Sequence, residues 1–312
     1  MSWVKVEDYQ KNGWRLGVDA GQRSRYYCEQ LERGEILYFP NCPFSFSQED
    51  QAQLLSQRQS GFRFHKNVSF QPKTGQIRGL STKEDSDQQE LQRIMANFSS
   101  KTVHFFEQFL MPYARNYRLD FASYRPVEEN GRQLSLHKRN DLLHVDAFPN
   151  RPTQGGRILR IFMNINPHMP RIWHVGEDFE QLAKQHVPLA QLSTYAWQCR
   201  WGWRSLVQTV SDSLRKAVGK LKNFPSVYDR CMQRFHNYLK ENEHYQKSGR
   251  REEIEFPPGS SWIVYTDAVP HAVMSGQFAL EQTFIVPLKS MVDPQQAPIH
   301  ILETICKQKL AA

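Results

Sequence analysis

Two histidines and one aspartate are the most specific chemical feature of this sequence. His144 and Asp146 are separated by one residue in the run DLLHVDAF, and on a β-strand residues i and i+2 point to the same face. His271 follows the apolar run SSWIVYTD and a short turn from Ala268 to Pro270. Two imidazoles and one carboxylate on one face of a metal leave three adjacent positions open, as in iron(II) sites that activate dioxygen. The sequence therefore predicts that these three side chains hold one ion, with His271 opposite the first pair across a closed barrel.

The elements that must position these ligands are β-strands. From Leu119 onward the chain has short β-like runs, separated by Pro, Gly and Asn: LDFASYR, DLLHVDAF, RILRIFMNIN and RIWHV. Similar runs resume in SSWIVYTD and FALEQTFIVPL, after a helical insert at about 177–250. Because barrel strands that are distant in sequence can still pair, we predict one interrupted sheet system. The expected organisation is a single α+β domain over 1–312, with its β core at about 119–176 and 251–290.

The N-terminal region, about 1–118, is predicted to supply scaffold helices. A short helix is expected over 47–60, with Ser47 as N-cap and acidic residues in the first turn, where the helix dipole favours carboxylates. A longer helix is expected from about Asp87 to Arg118, because its apolar residues recur every three to four positions. The resulting apolar stripe predicts that this helix packs against the β core.

The bulk composition excludes several classes of protein. With 39% hydrophobic and 12% aromatic residues the chain is expected to fold, and neither its N-terminus nor any internal run is apolar enough for a signal peptide or a membrane-spanning helix. The five cysteines are scattered and include no Cys-x-x-Cys pair, which argues against a disulfide framework or zinc knuckle. We therefore expect a cytoplasmic protein. Its net charge of +8 favours an anionic partner.

Two long stretches carry a family resemblance. From His144 to Glu180 the chain reads HVDAFPNRPTQGGRILRIFMNINPHMPRIWHVGEDFE, and from Pro257 to Leu288 it reads PPGSSWIVYTDAVPHAVMSGQFALEQTFIVPL. These blocks closely resemble the hydroxylases of 3-deoxy-D-manno-oct-2-ulosonic acid (Kdo), the acidic sugar joined to lipid A in Gram-negative bacteria. The resemblance implies a double-stranded β-helix (jelly roll, cupin-like) that holds Fe(II) through His144, Asp146 and His271. It also implies hydroxylation of Kdo at C3, with O2 and 2-oxoglutarate consumed and succinate and CO2 released.

A second set of residues is expected to bind 2-oxoglutarate. Many members of the wider oxygenase superfamily place an arginine or lysine some ten residues after the second histidine, but here that stretch reads GQFALEQTF. The cationic anchor is therefore expected on the strand RILRIFMNIN, where Arg160 and Asn164 share one face if the strand is regular. Arg160 is the first candidate to clamp the distal carboxylate, Arg125 the second and Arg157 the third, because arginine binds carboxylates bidentately. Asn164 is a further candidate for this site.

Two other functions remain compatible with the sequence. A related 2-oxoglutarate oxygenase could act on another anionic target, such as a protein or a nucleic acid, because the triad itself is silent about substrate. The chain could also be a non-catalytic sugar or lipid binder that keeps a cupin-like barrel. The resemblance favours a Kdo-containing glycolipid, and under it no nucleic-acid partner is expected.

A segment within the helical insert is a candidate for membrane contact. Residues 195–222 concentrate Trp197, Trp201 and Trp203 beside several arginines and lysines, and an apolar stripe at helical spacing follows from Ser205. Tryptophan suits the headgroup boundary and basic side chains attract anionic lipid. We expect either peripheral docking on the cytoplasmic face of the inner membrane or a helix packed on the barrel with a solvated basic face.

Overall fold

The computed structural model describes residues 3–7, 9, 19–44, 46–57, 67–79, 85–201 and 224–311. In chain order, the strands in these ranges are β1 Trp3–Lys5, β2 Ile36–Phe39, β3 Val68–Gln71, β4 Gln76–Arg78, β5 Arg118–Arg125, β6 Arg157–Asn164, β7 Arg171–Val175, β8 Glu252–Phe256, β9 Ser261–Tyr265, β10 His271–Ser275 and β11 Ala279–Val286. The α-helices are α1 Ala20–Glu32, α2 Gln48–Ser56, α3 Asp85–Phe109, α4 Met111–Ala114, α5 Phe179–Leu189, α6 Leu192–Trp201, α7 Val227–Glu241, α8 Glu243–Ser248 and α9 Pro298–Cys306.

Two facing sheets form a jelly roll, which confirms the predicted α+β fold. The larger sheet has the order β1-β2-β9-β6-β11-β5-β3-β4, and the smaller one has the order β10-β7-β8. Strand β11 pairs antiparallel with both β5 and β6, although about 120 residues separate it from β6. The helical insert therefore lies between β7 and β8 in the sequence, but strands before it still form hydrogen bonds with strands after it.

The strand β6 shows how the large sheet separates its two faces. Successive side chains alternate, so Arg160, Phe162 and Asn164 point between the sheets while Ile161 and Met163 point outward. The face between the sheets carries an aromatic core, in which Phe162 stacks on Trp262 with ring centroids 5.1 Å apart. This alternation confirms that a regular β6 turns Arg160 into the barrel.

The outward face of the large sheet is covered by the N-terminal helices. One apolar stripe of α3 buries Phe98, Phe105, Phe106 and Phe109, and Phe106 stacks on Phe284 of β11 with centroids 4.1 Å apart. This packing confirms the scaffold role predicted for the helix. The predicted end at Arg118 is wrong, because α3 stops at Phe109 and a separate short turn, α4, begins with Pro112 in its first turn.

The N-terminal region also contributes strands, which its predicted helical character did not include. β2 pairs with β9 and β3 pairs with β5, so both extend the large sheet. Short strands of four residues carry too little alternation to be recognised from sequence. The expected short helix is present as α2, and the side chain of Ser47 caps it by accepting a hydrogen bond from the Asp50 backbone N–H at 3.0 Å.

The helical insert packs against the end of the barrel that carries His144. Its helix α7 begins with a capping box, in which Ser226 and Asp229 each accept a hydrogen bond from the other's backbone N–H. The buried side of α7 contains Tyr228, Cys231, Phe235 and Leu239. Among the described helices, none combines the length and apolarity needed to cross a membrane. Trp203 and the stripe from Ser205 onward lie outside the described residues.

Candidate metal centre

The backbone brings the three predicted ligands to one end of the barrel, between the two sheets. His144 and His271 form a β-bridge, in which each backbone N–H donates to the other's carbonyl at 3.1 and 2.9 Å. The Asp146 N–H donates to the carbonyl of Thr266, directly after β9, at 2.8 Å. The segment 144–146 therefore joins the small sheet to the large one. The sequence had led us to expect His271 across the barrel from His144. That expectation is wrong, because His271 lies beside His144.

The side chains converge as well as the backbones. One ligand atom from each of His144, Asp146 and His271 lies within 4.8 Å of the other two, and the Nε2 of His144 is 3.8 Å from Oδ1 of Asp146. The Nδ1 of His144 faces the Leu142 carbonyl at 2.6 Å, and the Nδ1 of His271 faces the Val269 carbonyl at 2.9 Å. Donation from Nδ1 leaves each Nε2 lone pair available to a metal.

Burial and charge keep these side chains in the protonation states that a metal needs. Burial lowers the pKa of His144 well below its usual value and also lowers that of His271, so both imidazoles stay neutral. Burial alone would raise the pKa of Asp146, but the Arg160 guanidinium, the two histidines and a hydrogen bond from Thr266 together outweigh that effect and hold the pKa below its usual range. Two neutral imidazoles and an ionised carboxylate fit a divalent cation. The Oδ2 of Asp146 is buried without a hydrogen bond, although Nη2 of Arg160 lies 3.1 Å away.

A network of buried arginines begins at the third ligand. Arg160 reaches Asp146 and, at 3.3 Å, Glu281, which also pairs with Arg125. Beyond Arg125, Glu129 joins Arg171 at 3.5 Å and Arg132 at 3.2 Å. Four guanidinium groups and two carboxylates leave a surplus of two positive charges, with Asp146 assigned to the metal. That positive surplus favours the binding of an anion.

The network also has unused hydrogen-bond donors. The Nε–H groups of Arg125, Arg160 and Arg171 are buried and have no acceptor among the described residues. Burial, together with the neighbouring Arg125, lowers the pKa of Arg171 to about 10. Buried donors without acceptors are costly, so this region is suited to receive an anion.

The remaining predicted cofactor residues have other partners. Both amide protons of Asn164 are used, since its Nδ2 donates to the carbonyls of Met169 and Phe256, each at 3.0 Å. Its Oδ1 accepts from the Asn166 N–H, so the side chain shapes the loop after β6. The Nε of Arg157 donates to the Asp267 carboxylate, and its guanidinium lies 4.0 Å from the centre of the Tyr265 ring. The geometry therefore favours Arg160 and Arg125 over Asn164 and Arg157.

Sequence reasoning missed several residues of the site. Glu281 and Arg171 required knowledge of strand pairing, although Glu281 alternates with outward apolar residues on β11. His236 of α7 donates through Nδ1 to the Val145 carbonyl at 2.7 Å, and its ring meets that of His144 edge-on with centroids 5.0 Å apart. Only the helical spacing of α7 marks His236 as inward-facing. Trp173 stacks on the other ligand, His271, at 5.1 Å.

A jelly roll with two histidines and one carboxylate at its open end places this chain among the non-haem Fe(II) and 2-oxoglutarate-dependent dioxygenases. Residues 16–309 match the family model described as 3-deoxy-D-manno-oct-2-ulosonic acid (Kdo) hydroxylase. The chain belongs to the Kdo hydroxylase family, as its sequence motifs indicated.

Solved structures agree with this assignment. The chain is similar to the Kdo hydroxylase KdoO in complex with α-ketoglutarate and Fe(III), with 31% identity, a TM-score of 0.80, and coverage of 100% of this chain and 98% of that chain. For the complex of KdoO with succinate and Fe(III), identity is 32%, the TM-score is 0.79, and coverage is 99% and 97%. No curated protein sequence gives a match.

Proposed function

We propose that this protein hydroxylates C3 of the Kdo sugar on a Kdo-lipid A glycolipid. The observation that carries the proposal is the buried His144–Asp146–His271 cluster in a chain of the Kdo hydroxylase family. One atom of O2 would enter the new C3 hydroxyl, and the other would enter the succinate formed from 2-oxoglutarate as CO2 leaves. The C3–H bond is the bond broken on the sugar.

The three clustered side chains would hold the metal. An Fe(II) ion bound there, with 2-oxoglutarate, supplies the oxidising chemistry. The Nδ1 contacts to Leu142 and Val269 fix both imidazole rings, and the neighbouring Trp173 and His236 rings leave them little freedom. Ligands held in this way need little reorganisation when the metal binds.

The buried arginines would bind the distal carboxylate of 2-oxoglutarate. Arg160 is the first candidate because it lies next to Asp146, and Arg125 is the second because it shares Glu281 with Arg160. A carboxylate there would accept hydrogen bonds from donors that the protein leaves without acceptors. The same contacts would orient the co-substrate and exclude water from the metal side of the barrel.

The decisive experiment measures succinate release with a Kdo-lipid A acceptor and the mass of the product. We expect release that depends on acceptor, Fe(II) and 2-oxoglutarate, with a product heavier by one oxygen atom. A protein or nucleic-acid acceptor that supports faster release than any Kdo-containing acceptor would contradict the proposal. Failure of the purified protein to bind one Fe(II) under anaerobic conditions would instead favour a non-catalytic binder.

We also propose that the end of α6 contacts an anionic membrane surface, the cytoplasmic face of the inner membrane. Trp197 and Trp201 are 57% and 67% exposed, and Leu189 at the end of α5 is 63% exposed. Arg200 lies beside Trp201, with its guanidinium 5.8 Å from the ring centre. Exposed tryptophans next to a cation suit the headgroup region, where a substrate with embedded acyl chains is found.

Liposome co-sedimentation tests this contact. Binding to anionic vesicles should decrease as salt increases and should drop sharply when Trp197 and Trp201 are both replaced by alanine. Trp3→Ala is the control, since Trp3 is 41% exposed on β1. A double variant that sediments like the parent would show that another surface meets the lipid.

A further inference from the structure

A groove of about 420 Å³ lies along one flank of α7. Its walls include Phe148, which follows the metal-binding segment, and Tyr195 of α6. Its floor is formed by side chains of α7, among them Arg230, Gln233 and Arg234. This volume lies in the range of small-molecule sites.

The groove residues on α7 share one face of the helix. Arg230, Gln233, Arg234 and Asn237 follow the spacing i, i+3, i+4 and i+7, which puts them side by side. The same helix presents His236 toward Val145 and the ring of His144. One helix therefore connects the groove to the segment that carries two of the metal ligands.

Positive charge at the centre of the groove lacks a carboxylate partner. In the described part of the chain, neither Arg230 nor Arg234 forms an ion pair with an acidic side chain, while Arg234 donates through Nε to the Ala190 carbonyl at 3.1 Å. The carboxylates at the two ends are engaged elsewhere: Asp229 accepts from Ser226 and Thr153, and Glu241 pairs with His137 at 2.6 Å. The centre of the groove is therefore suited to an anion.

The groove also offers groups that suit sugar hydroxyls. The Nε2 of Gln233 donates to the Oδ1 of Asn237 at 3.1 Å, which orients both amides. The Oε1 of Gln233 is buried and accepts no hydrogen bond from the described residues, so it can accept one from a ligand hydroxyl. The rings of Tyr195 and Phe148 also line the groove, and the Arg234 guanidinium lies 4.7 Å from the centre of the Tyr195 ring.

A short chain of contacts links the groove to the metal centre. The ring centre of Phe148 lies 5.4 Å from the guanidinium carbon of Arg160, and Arg160 contacts Asp146 at 3.1 Å. Phe148 and Arg160 therefore bridge the groove and a metal ligand.

The geometry points to this groove as the subsite that recognises the acidic sugar of the substrate. Arg230 and Arg234 bind its carboxylate, and Gln233 and Asn237 bind its hydroxyl groups. This inference rests on the proposed function, because it names the part of the same site that selects the acceptor. Arg125, Arg160 and Arg171 of the buried network each pair with a glutamate, whereas the two groove arginines have no carboxylate partner among the described residues.

Steady-state kinetics with a Kdo-containing acceptor give the first test. Arg230→Gln and Arg234→Gln should each raise the KM for the acceptor about tenfold, because each variant loses a charge-assisted hydrogen bond to the sugar carboxylate. The KM for 2-oxoglutarate should not change. Arg234→Lys should recover part of the loss because it keeps the charge, and Arg25→Gln on the exposed face of α1 is the matched control. An unchanged acceptor KM in both glutamine variants overturns the inference.

Direct binding separates this inference from the proposed function. Free Kdo is titrated into the metal-free protein and followed by NMR, with mannose as the uncharged sugar and inorganic phosphate as the competing anion. Binding of Kdo that is lost in Arg234→Gln supports the groove even if no Kdo-containing acceptor is hydroxylated. Equal binding to parent and variant overturns it. Binding of phosphate but not Kdo also overturns it, because the groove would then recognise a phosphate group.

Discussion

At the scale of single residues, the metal ligands allow the clearest test. His144→Ala, Asp146→Ala and His271→Ala should each bind no stoichiometric iron and lose at least about 100-fold in activity. Replacing a residue that only hydrogen-bonds to a metal ligand already lowers metal affinity or activity about 10–100-fold. Asp146→Glu should fail as well, since the carboxylate moves by one methylene while Arg160 stays in place. His104→Ala is the control, because His104 is exposed on α3, away from the interior of the barrel. Full activity in any ligand variant would remove that residue from the triad.

The anchor for 2-oxoglutarate is a second residue-scale prediction. Arg160→Ala should raise the apparent KM for 2-oxoglutarate at least about tenfold, because a charged hydrogen bond to the distal carboxylate is lost. Arg118→Ala at the exposed start of β5 should leave that KM unchanged. Unchanged saturation in Arg160→Ala would transfer the role to Arg125, which reaches the same carboxylate of Glu281.

His236 predicts how stability depends on pH. Burial lowers its pKa to about 4, whereas in the unfolded chain it takes up a proton near pH 6.5. Between these values the unfolded state binds more protons, so the free energy of unfolding decreases as pH falls from 6.5 toward 4. The contribution is about 3 kcal/mol at most, because the two pKa values differ by about 2.5 and each whole step corresponds to about 1.36 kcal/mol.

Urea unfolding of the metal-free protein at several pH values measures this effect. His144 and His271 add to the slope with the same sign, since their pKa values are also lowered. His236→Asn can still donate to the Val145 carbonyl but cannot titrate, so its stability should fall less steeply with decreasing pH. Identical slopes for parent and variant would show that His236 does not control acid stability.

At the scale of elements, the turn between β10 and β11 positions Arg171. Gly276 has φ +125°, and a Cβ there would lie 2.8 Å from Cγ and 3.0 Å from Cα of Arg171. Gly276→Ala should therefore destabilise the fold by about 2 kcal/mol or more through strain and overlap. It should also weaken 2-oxoglutarate binding, because Arg171 donates to the Gly276 carbonyl at 3.0 Å.

Thermal unfolding and co-substrate titration of this variant test both effects. Gly259→Ala is a useful comparison, since that glycine has φ +76° but a Cβ added there would meet no atom within 4 Å. The comparison variant should show the strain of a positive φ without the displacement of Arg171. Equal 2-oxoglutarate affinity in Gly276→Ala and the parent would separate Arg171 from the co-substrate site.

For the whole molecule, the charge surplus of the arginine network predicts coupled stabilisation by ligands. The four guanidinium groups of the network outnumber the two glutamates that pair with them, next to the proposed metal ligand Asp146. Under anaerobic conditions, Fe(II) and 2-oxoglutarate together, each at about 100 times its own dissociation constant, should stabilise the fold by more than about 5.4 kcal/mol, or roughly 10 °C in Tm, because each alone contributes about 2.7 kcal/mol and the two are coupled. Each ligand alone should give less than half of this shift.

A control with succinate tests the origin of the coupling. Succinate keeps both carboxylates but lacks the keto group, so with Fe(II) it should stabilise less than 2-oxoglutarate. In Arg160→Ala the added effect of 2-oxoglutarate over Fe(II) alone should largely disappear. A full shift in that variant would place the dicarboxylate away from Arg160.

The sequence by itself determined the ligand triad and the periodic elements around it. The apolar stripe of α3 and the alternation of β6 are local patterns, because side-chain direction follows directly from helical or strand geometry. The predicted strand around His144 is wrong, because the segment forms only an isolated bridge at His144, and tertiary contacts bring His144 and Asp146 together. The run around His144 and the run around His271 also carried the family resemblance. Arg160 was predictable for the same reason, since alternation alone turns it inward.

Only the tertiary structure decided which distant residues meet. Glu281 joins the arginine network through strand pairing across about 150 residues, and Glu129 and Arg171 join it through contacts between the loop after β5 and β7; no local pattern encodes these contacts. The same holds for His236 beside His144, and for the arginines of α7 that face Phe148. Asn164 shows the reverse case, since its inward direction was predictable but its backbone partners were not. Side-chain direction is a property of one element, whereas the partner of a side chain depends on how all the elements pack.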